Sequence, residues 1–229
     1  MADITLFAAP GSCSRVTTIV LEEIGVPFTY ELVRFMKGFH KSPAYKAVNP
    51  KGKVPALVVD GEPLTENVAI ISYLAATYPQ AGILPAGASP MASARALADL
   101  CFCSSTLHPL VTRYFMSVKI GGEDGAAAVK AVAAEAIVEN AALIEERLSK
   151  GDWWLGAEWS AVDAYLFWVF GRFNGSGYDL SPYPAWQAHA ARMEARPAVQ
   201  RALARDAAAQ ALLAAERAQM APAGAPKAA

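Results

Sequence analysis

The sequence lacks any concentration of charge of one sign. Its 229 residues include 20 Lys and Arg against 21 Asp and Glu, which gives a formal net charge of -1. The basic residues are scattered along the chain, whereas a protein that binds nucleic acid needs a basic stripe or patch. We therefore expect no nucleic-acid partner.

Long apolar runs are also missing. The longest strongly apolar run covers residues 164–170, far short of the ~20 residues that cross a bilayer. The first residues, Met1, Ala2 and Asp3, show neither the basic stretch nor the apolar segment of a secretory signal. From these absences we expect a cytoplasmic protein without membrane contact.

Cysteine is scarce, since the chain contains only Cys13, Cys101 and Cys103. Three cysteines cannot all pair, and their spacing fits neither a disulfide framework nor a zinc site. We expect free thiols in a reducing compartment and no bound metal.

The first eighty residues alternate between strand and helix periodicity, in a composition that is 54% hydrophobic and can bury a core. The predicted strands are 4–7, 28–33, 55–59 and 62–64, and the predicted helices are 12–24, 43–49 and 67–78. Asp60-Gly61 between the last two strands is a strong hairpin signal. This order is that of an α/β thioredoxin-like domain with a mixed four-stranded sheet, to which we assign residues 1–80.

No strand signal follows this domain. Residues 81–90 are rich in Gly, Ala and Pro and are assigned as a linker. Residues 91–212 are predicted to form an all-α domain with a co-substrate pocket, and its helices are 92–116, 126–148, 162–173 and 185–203. We expect residues 213–229 to be a mobile tail because they contain few bulky apolar groups.

Two motifs in the first domain indicate a binding site. A proline opening a sheet strand after Val54 is unusual. It is explained either by a cis Val54-Pro55 bond, which would expose the Val54 backbone to a peptide ligand, or by an ordinary trans proline at a strand start. Further on, Glu66-Asn67 stands where the hairpin leads into a helix, whose N-terminus favours an anion. Asn67 adds a side-chain donor there or simply caps the helix, and Glu66 can accept from an ammonium group.

Together these motifs resemble the glutathione-binding segment of the cytosolic glutathione transferases. The match covers Lys-Gly-Lys-Val-Pro at 51–55, the hairpin, and Thr-Glu-Asn-Val-Ala-Ile at 65–70, and the resemblance extends over almost the whole chain. It implies that Val54 beside Pro55 binds the cysteinyl part of glutathione, and that Glu66 and Asn67 bind its γ-glutamyl end. The family usually has Ser at position 67, so Asn67 is a departure.

The resemblance also implies a set of cations for the glycine carboxylate of glutathione. The candidates in the family's segment are Lys37, His40 and Lys41, and Lys53 is a fourth. Any one of them is alternatively a solvated surface charge, and we expect about half of the four to contact the ligand.

The residue that activates the thiol is expected at the start of the first helix. The sequence there, Pro-Gly-Ser-Cys-Ser at 10–14, resembles the bacterial beta class, which uses a cysteine at this place. Cys13 is the first candidate, and a helix N-terminus should lower its pKa. The hydroxyl of Ser12 or Ser14 is the alternative donor.

His108 matches the beta-class histidine that reaches the site from the helical domain, where it can share a proton near the thiolate. Pro109 stands where the family has a lysine. Because Pro109 has no N–H to donate, we expect a kink beside the site. Phe102, Tyr114, Phe115 and Phe170 are candidates to line an apolar pocket, although core packing is the default for their spacing.

The expected function is that of a homodimeric glutathione transferase that directs the glutathione thiolate to a small apolar electrophile. Thiol-disulfide reduction through Cys13, an isomerase or a lyase are alternatives within enzymes. A ligand-binding or regulatory protein without turnover is the alternative outside them. One further motif, the capping box Ser160-Ala-Val-Asp163, is interpreted as structural only.

Overall fold

The computed structural model describes residues 2–85 and 89–220. The first domain is built around a mixed four-stranded sheet. The strands are Ile4–Ala8 (β1), Thr29–Leu32 (β2), Ala56–Val59 (β3) and Glu62–Thr65 (β4). Their order is β2-β1-β3-β4, with β1 parallel to β2 and antiparallel to β3. The helices are Ser14–Ile24 (α1), Pro43–Val48 (α2) and Asn67–Thr77 (α3). The predicted thioredoxin-like domain is confirmed.

Local sequence explains these elements. Alternate residues of β1, namely Ile4, Leu6 and Ala8, are buried, as a period of two requires for a strand covered on one face. Asp60 and Gly61 both have positive φ, 51° and 88°, so they form the turn type that suits a two-residue hairpin. The hairpin prediction is therefore confirmed.

The second half is helical throughout the part that the structure describes. Its helices are Pro90–Phe102 (α4), His108–Phe115 (α5), Ser117–Leu148 (α6), Ala161–Asn174 (α7), Pro184–Glu194 (α8) and Pro197–Met220 (α9). A π-helical turn, Cys103–Leu107, separates α4 from α5. It ends just before Pro109, which cannot donate a hydrogen bond to the preceding turn. The helix predicted over 92–116 is therefore interrupted beside the site, where a kink was expected.

Three helix bounds differ from the predictions. The single helix expected over 185–203 is two helices, because Pro197 cannot continue α8 and instead starts α9. Helix α6 begins at Ser117 rather than at 126 and contains a non-helical residue, Gly122. Residues 213–220, assigned to the tail, continue α9, since alanine has the highest helix propensity. The rest of the predicted tail, 221–229, and residues 86–88 of the linker lie outside the described residues.

Helix α9 fastens the helical domain to the first domain through ion pairs. Arg201 and Arg205 both contact Glu22 of α1, each at 2.6 Å. Asp206 contacts Arg15 at 2.7 Å, and Arg196, just before α9, contacts Glu23 at 2.6 Å. The two domains are thereby held at a fixed separation, with a cleft between them. None of the helices in 2–85 and 89–220 has the length and hydropathy needed to cross a bilayer.

Candidate active site

A cavity of about 710 Å³ lies between the two domains. The first domain contributes Cys13, Asn49, Lys53, Val54, Pro55, Glu66, Asn67 and Val68, and the helical domain contributes Cys101, Ser104, Ser105, His108, Pro109, Thr112, Arg113, Ile120 and Tyr165. Of the predicted site residues, seven line this cavity: Cys13, Lys53, Val54, Pro55, Glu66, Asn67 and His108. A pocket of this size, formed between two domains, is the usual place for a small-molecule site.

Cys13 caps the N-terminus of α1 at the floor of this cavity. It is 9% exposed, and its thiol donates to the carbonyl of Val54 at 3.4 Å. Burial raises the pKa of the Cys13 thiol to about 12, although its own main-chain amide and the Asn67 side chain act in the opposite direction. The expectation of a lowered pKa was therefore wrong, because loss of solvent outweighs the helix terminus. At neutral pH Cys13 is a protonated thiol and a hydrogen-bond donor.

The two neighbouring serines, Ser12 and Ser14, are not among the residues that line the cavity. The Ser14 hydroxyl is fully buried, donates to the carbonyl of Ala9 at 3.1 Å and accepts from the Ala9 amide. The Ser12 hydroxyl also donates to Ala9, at 2.7 Å, and lies 2.7 Å from the Ser14 hydroxyl. These bonds close the loop between β1 and α1. We therefore correct the predictions for Ser12 and Ser14: both are structural, because their hydroxyls are used within this loop.

The same loop is held from the helical domain at Gly11. The Gly11 amide donates to Asp206 of α9 at 3.0 Å, and the Gly11 carbonyl accepts from the indole of Trp168 on α7 at 3.2 Å. Gly11 has φ of +72°, a conformation that suits glycine. Because both of its main-chain groups are bonded, the position of Cys13, two residues later, depends on α7 and α9.

The loop before β3 presents Lys53 and Val54 to the cavity. The carbonyl of Lys53 accepts from the Tyr45 hydroxyl and from the Asn49 side chain, each at 2.6 Å. Gly52 is required here, because it has φ of +64° and an added Cβ would lie 2.8 Å from the His40 carbonyl oxygen. The Val54-Pro55 peptide bond is cis, the first of the two alternatives.

Glu66 and the start of α3 form the second wall of the first domain. Glu66 has φ of 77° and ψ of 124°, a sparsely populated conformation that is concentrated at functional sites. Its carboxylate is paired with Lys51. The first amide of α3 to bond back is that of Ile70, to the Glu66 carbonyl. The amides of residues 67–69 therefore have no acceptor within the helix and can bind an anion.

The Asn67 side chain links the start of α3 to α1. It is 6% exposed, its oxygen accepts from the Thr17 hydroxyl at 2.7 Å, and its nitrogen donates to the Cys13 carbonyl at 3.1 Å. The Asn67 side chain thus holds α1 and Cys13 in place with one of its two N–H groups, and its role as a donor to the ligand stays a prediction. Its main-chain amide remains at the cavity.

Three of the four predicted cations are elsewhere. Lys37 is paired with Glu216 of α9 at 2.7 Å. The His40 ring packs on Phe35 with a centroid distance of 4.6 Å, and Lys41 is exposed. None of these three lines the cavity, and Lys53 does. Of the four, Lys53 is the one at the cavity, and His40 lies close to it, because the His40 main chain packs against Gly52.

His108 and Tyr165 line the cavity from the helical domain. His108 Nδ1 lies 3.0 Å from the Tyr165 hydroxyl, and its ring packs edge-on against Trp168. Burial lowers the pKa of His108, so the imidazole is neutral at pH 7. Burial also raises the pKa of Tyr165, which stays a phenol.

Sequence reasoning missed Tyr165 and Lys51. The signal for Tyr165 was its place two residues after Asp163 of the capping box, as a hydroxyl in an otherwise apolar helix start. Lys51 is the first residue of the Lys-Gly-Lys-Val-Pro motif at 51–55, in which only Lys53, Val54 and Pro55 were predicted to bind a ligand. Each contacts a residue that sequence reasoning did identify: Tyr165 contacts His108, and Lys51 contacts Glu66.

The four aromatic candidates for the pocket do not line it. Phe102 stacks on Trp154, Phe115 lies beneath Arg172, and Phe170 packs against Trp186. Tyr114 packs against Phe173 and Tyr178. Their spacing therefore indicates packing inside the helical domain, as the default interpretation stated. The wall contributed by α4 and α5 instead carries hydroxyls, one thiol and Arg113.

Known proteins resemble the chain over most of its length. The family models "Glutathione S-transferase, N-terminal domain" and "Glutathione S-transferase, C-terminal domain" match residues 11–77 and 125–192. Glutathione S-transferase GST-4.5 of Xanthomonas campestris is 35% identical, over 86% of this chain and 96% of that protein. Maleylpyruvate isomerase of a Ralstonia species is 33% identical, over 72% of this chain and 80% of its own.

Solved structures also resemble this chain over most of its length. A sphingomonad glutathione S-transferase complexed with glutathione has a TM-score of 0.79 and 35% identity, with 89% of this chain and 98% of that chain covered. The beta-class enzyme of Sphingomonas chungbukensis has a TM-score of 0.78 and 32% identity, with 88% and 98% covered. The chain therefore belongs to the glutathione S-transferase family and resembles its bacterial beta class.

Proposed function

We propose that this protein is a glutathione transferase, which acts as a cytoplasmic homodimer and directs the glutathione thiolate to a small electrophile with an apolar body. The observation that carries the proposal is the set of charges and donors on the first-domain wall of the cavity, which is complementary to glutathione. The free amides at the start of α3 suit the α-carboxylate, Glu66 suits the ammonium group and Lys53 suits the glycine carboxylate. The Val54 backbone lies between them.

The thiol of glutathione held in this way would lie beside Cys13 and His108. The protonated Cys13 thiol can donate a hydrogen bond to the thiolate and stabilise it. When Nδ1 of the neutral His108 donates to Tyr165, Nε2 is an acceptor that can take the proton of the glutathione thiol. The thiolate then attacks the electrophile, and the leaving group departs with its bonding electrons.

Calorimetry with glutathione tests this proposal directly. We expect Glu66→Gln to weaken glutathione binding about tenfold, because an ion pair with the ammonium group becomes a neutral hydrogen bond. Glu62→Gln is the matched control, since Glu62 is exposed on β4 and does not line the cavity. Absence of binding by the wild-type protein at millimolar glutathione would rule out the proposed function.

Thiol-disulfide exchange is the second candidate. It is favoured by one observation, the presence of the Cys13 thiol inside the cavity that would hold the glutathione sulfur. Replacement of Cys13 separates the two reactions and is considered in the Discussion.

The tether at Gly11 leads to a prediction about the reaction rate. Asp206→Asn is expected to lower kcat roughly tenfold with little change in KM for glutathione, because Cys13 shifts while the charged ends of glutathione keep their partners. Glu23→Gln is the control: it breaks the ion pair with Arg196 but does not touch the loop. Steady-state kinetics of both variants gives the answer. Equal effects of the two substitutions would mean that Asp206 only holds the domains together.

A further inference from the structure

The helical-domain wall of the cavity contains a cation that glutathione does not need. We propose that the second substrate carries an anionic group, a carboxylate or a group of similar charge, and that Arg113 binds it. This inference rests on the proposed function, because it takes glutathione to occupy the first-domain wall. It adds a charged substituent to the apolar body of the electrophile.

The charges of glutathione are already matched without Arg113. Glutathione has two carboxylates and one ammonium group, and their partners are the α3 N-terminus, Lys53 and Glu66, all in the first domain. Arg113 lies on α5 of the helical domain and lines the cavity from that domain. The side of the cavity that it faces is the side left for the second substrate.

Within residues 2–85 and 89–220, Arg113 shares the lack of a carboxylate partner with Arg95, Arg172 and Arg217, and of these four it is the one that lines the cavity. It is exposed at the cavity wall. By contrast, the following arginines each form an ion pair: Arg15, Arg34, Arg147, Arg192, Arg196, Arg201 and Arg205. A guanidinium left without an internal partner at a pocket wall can bind an external carboxylate through two parallel hydrogen bonds.

The neighbouring hydroxyls do not offer an alternative anion site. Ser104 and Ser105 donate to the carbonyl of Cys101 at 3.2 Å and 2.7 Å, and Thr112 donates to the carbonyl of His108 at 3.1 Å. Because their protons are used within the helices, these hydroxyl oxygens are left as acceptors, which do not bind an anion. Anion recognition on this wall therefore depends on Arg113.

The apolar residues beside Arg113 define the rest of the substrate. Pro109, one turn earlier on α5, and Ile120 of α6 also line the cavity. They can bury an apolar body while Arg113, at the exposed edge, binds the charged substituent. The substrate class is thus an electrophile with an apolar core and an acidic group at one end.

The test compares two glutathione conjugates that differ only at the end of the chain on sulfur: S-hexylglutathione and S-(5-carboxypentyl)glutathione. Calorimetry gives the ratio of their dissociation constants for each variant. We expect Arg113→Met to weaken the carboxylate conjugate about fivefold relative to the hexyl conjugate, because a partly exposed ion pair is lost. Arg113→Lys should retain most of the preference. Lys119→Met, at an exposed position outside the cavity, should leave the ratio unchanged.

The outcomes distinguish this inference from the proposed function. If both conjugates bind and Arg113→Met leaves the ratio unchanged, the inference is wrong and the proposed function stands. If neither conjugate nor glutathione binds to the wild-type protein, the proposed function itself fails. Unchanged binding of S-hexylglutathione by Arg113→Met would show that the variant is folded, so that a changed ratio reports on the lost cation.

Discussion

Asp163→Ala is expected to lower the free energy of unfolding by about 3–5 kcal/mol, the cost of leaving buried charged-group partners unpaired. The Asp163 carboxylate is fully buried and accepts four hydrogen bonds. One oxygen accepts from the Trp154 amide and His189, and the other accepts from the amide and hydroxyl of Ser160. Removal of this single group breaks contacts to three separate segments of the helical domain.

The measurement is urea unfolding, with the thermal midpoint as a second readout. For a chain of this length the midpoint should fall by roughly 10 °C, given about 2–4 °C per kcal/mol. Asp152→Ala is the control, because the Asp152 side chain is 72% exposed in its ion pair with Arg192 and should cost less than about 1 kcal/mol. A loss below about 1 kcal/mol for Asp163→Ala would contradict our account of the capping box.

The position of this carboxylate links stability to the site. Asp163 fixes the first turn of α7, and Tyr165, in contact with His108, follows two residues later. Trp168, which binds the Gly11 carbonyl, lies on the same helix. The capping box is thus structural, as predicted, but it also positions the helix on which the cavity depends.

The sequence allowed most of the fold to be predicted because the local signals were strong. The alternation in β1, the Asp60-Gly61 turn and the effect of Pro109 each depend on neighbouring residues alone. The break at Pro197 could have been predicted in the same way, since a proline inside a predicted helix ends or kinks that helix. The extent of α9 was underestimated because an alanine-rich segment is weakly apolar, although alanine favours helix and the ion pairs of α9 tie it to the first domain.

The site was predicted less completely than the fold, because contacts between residues far apart in the sequence determine the roles of several of its side chains. The motifs identified Val54 and Glu66, because their roles follow from the backbone at a strand start and at a helix start. No sequence pattern indicated that the Ser14 hydroxyl would form hydrogen bonds with the Ala9 main chain. Nor did any pattern indicate that Lys37 would form an ion pair with Glu216. The pKa of Cys13 was predicted in the wrong direction for the same reason. Burial is set by the assembled cavity, whereas the helix terminus can be recognised locally.

Cys13 is the residue at which the two candidate reactions separate most strongly. Burial raises the pKa of the Cys13 thiol to about 12, so only a very small fraction of the protein carries the thiolate at pH 7. Exchange through a Cys13 mixed disulfide needs that thiolate, so its rate should rise about tenfold per pH unit from pH 7 to 10. A conjugation reaction in which Cys13 only donates a hydrogen bond requires the protonated form, which is present throughout this range.

Cys13→Ser should therefore abolish glutathione-dependent disulfide reduction, by at least about 100-fold, because no mixed disulfide can form. Conjugation to a chlorodinitrobenzene-type electrophile should fall by less than about tenfold, since the serine hydroxyl is also a donor. Cys13→Ala is the matched variant: it removes the donor and should lower conjugation further, with glutathione binding retained. If Cys13→Ser and Cys13→Ala both conjugate at the wild-type rate, Cys13 has no role in thiolate stabilisation, and His108 with Tyr165 must provide it.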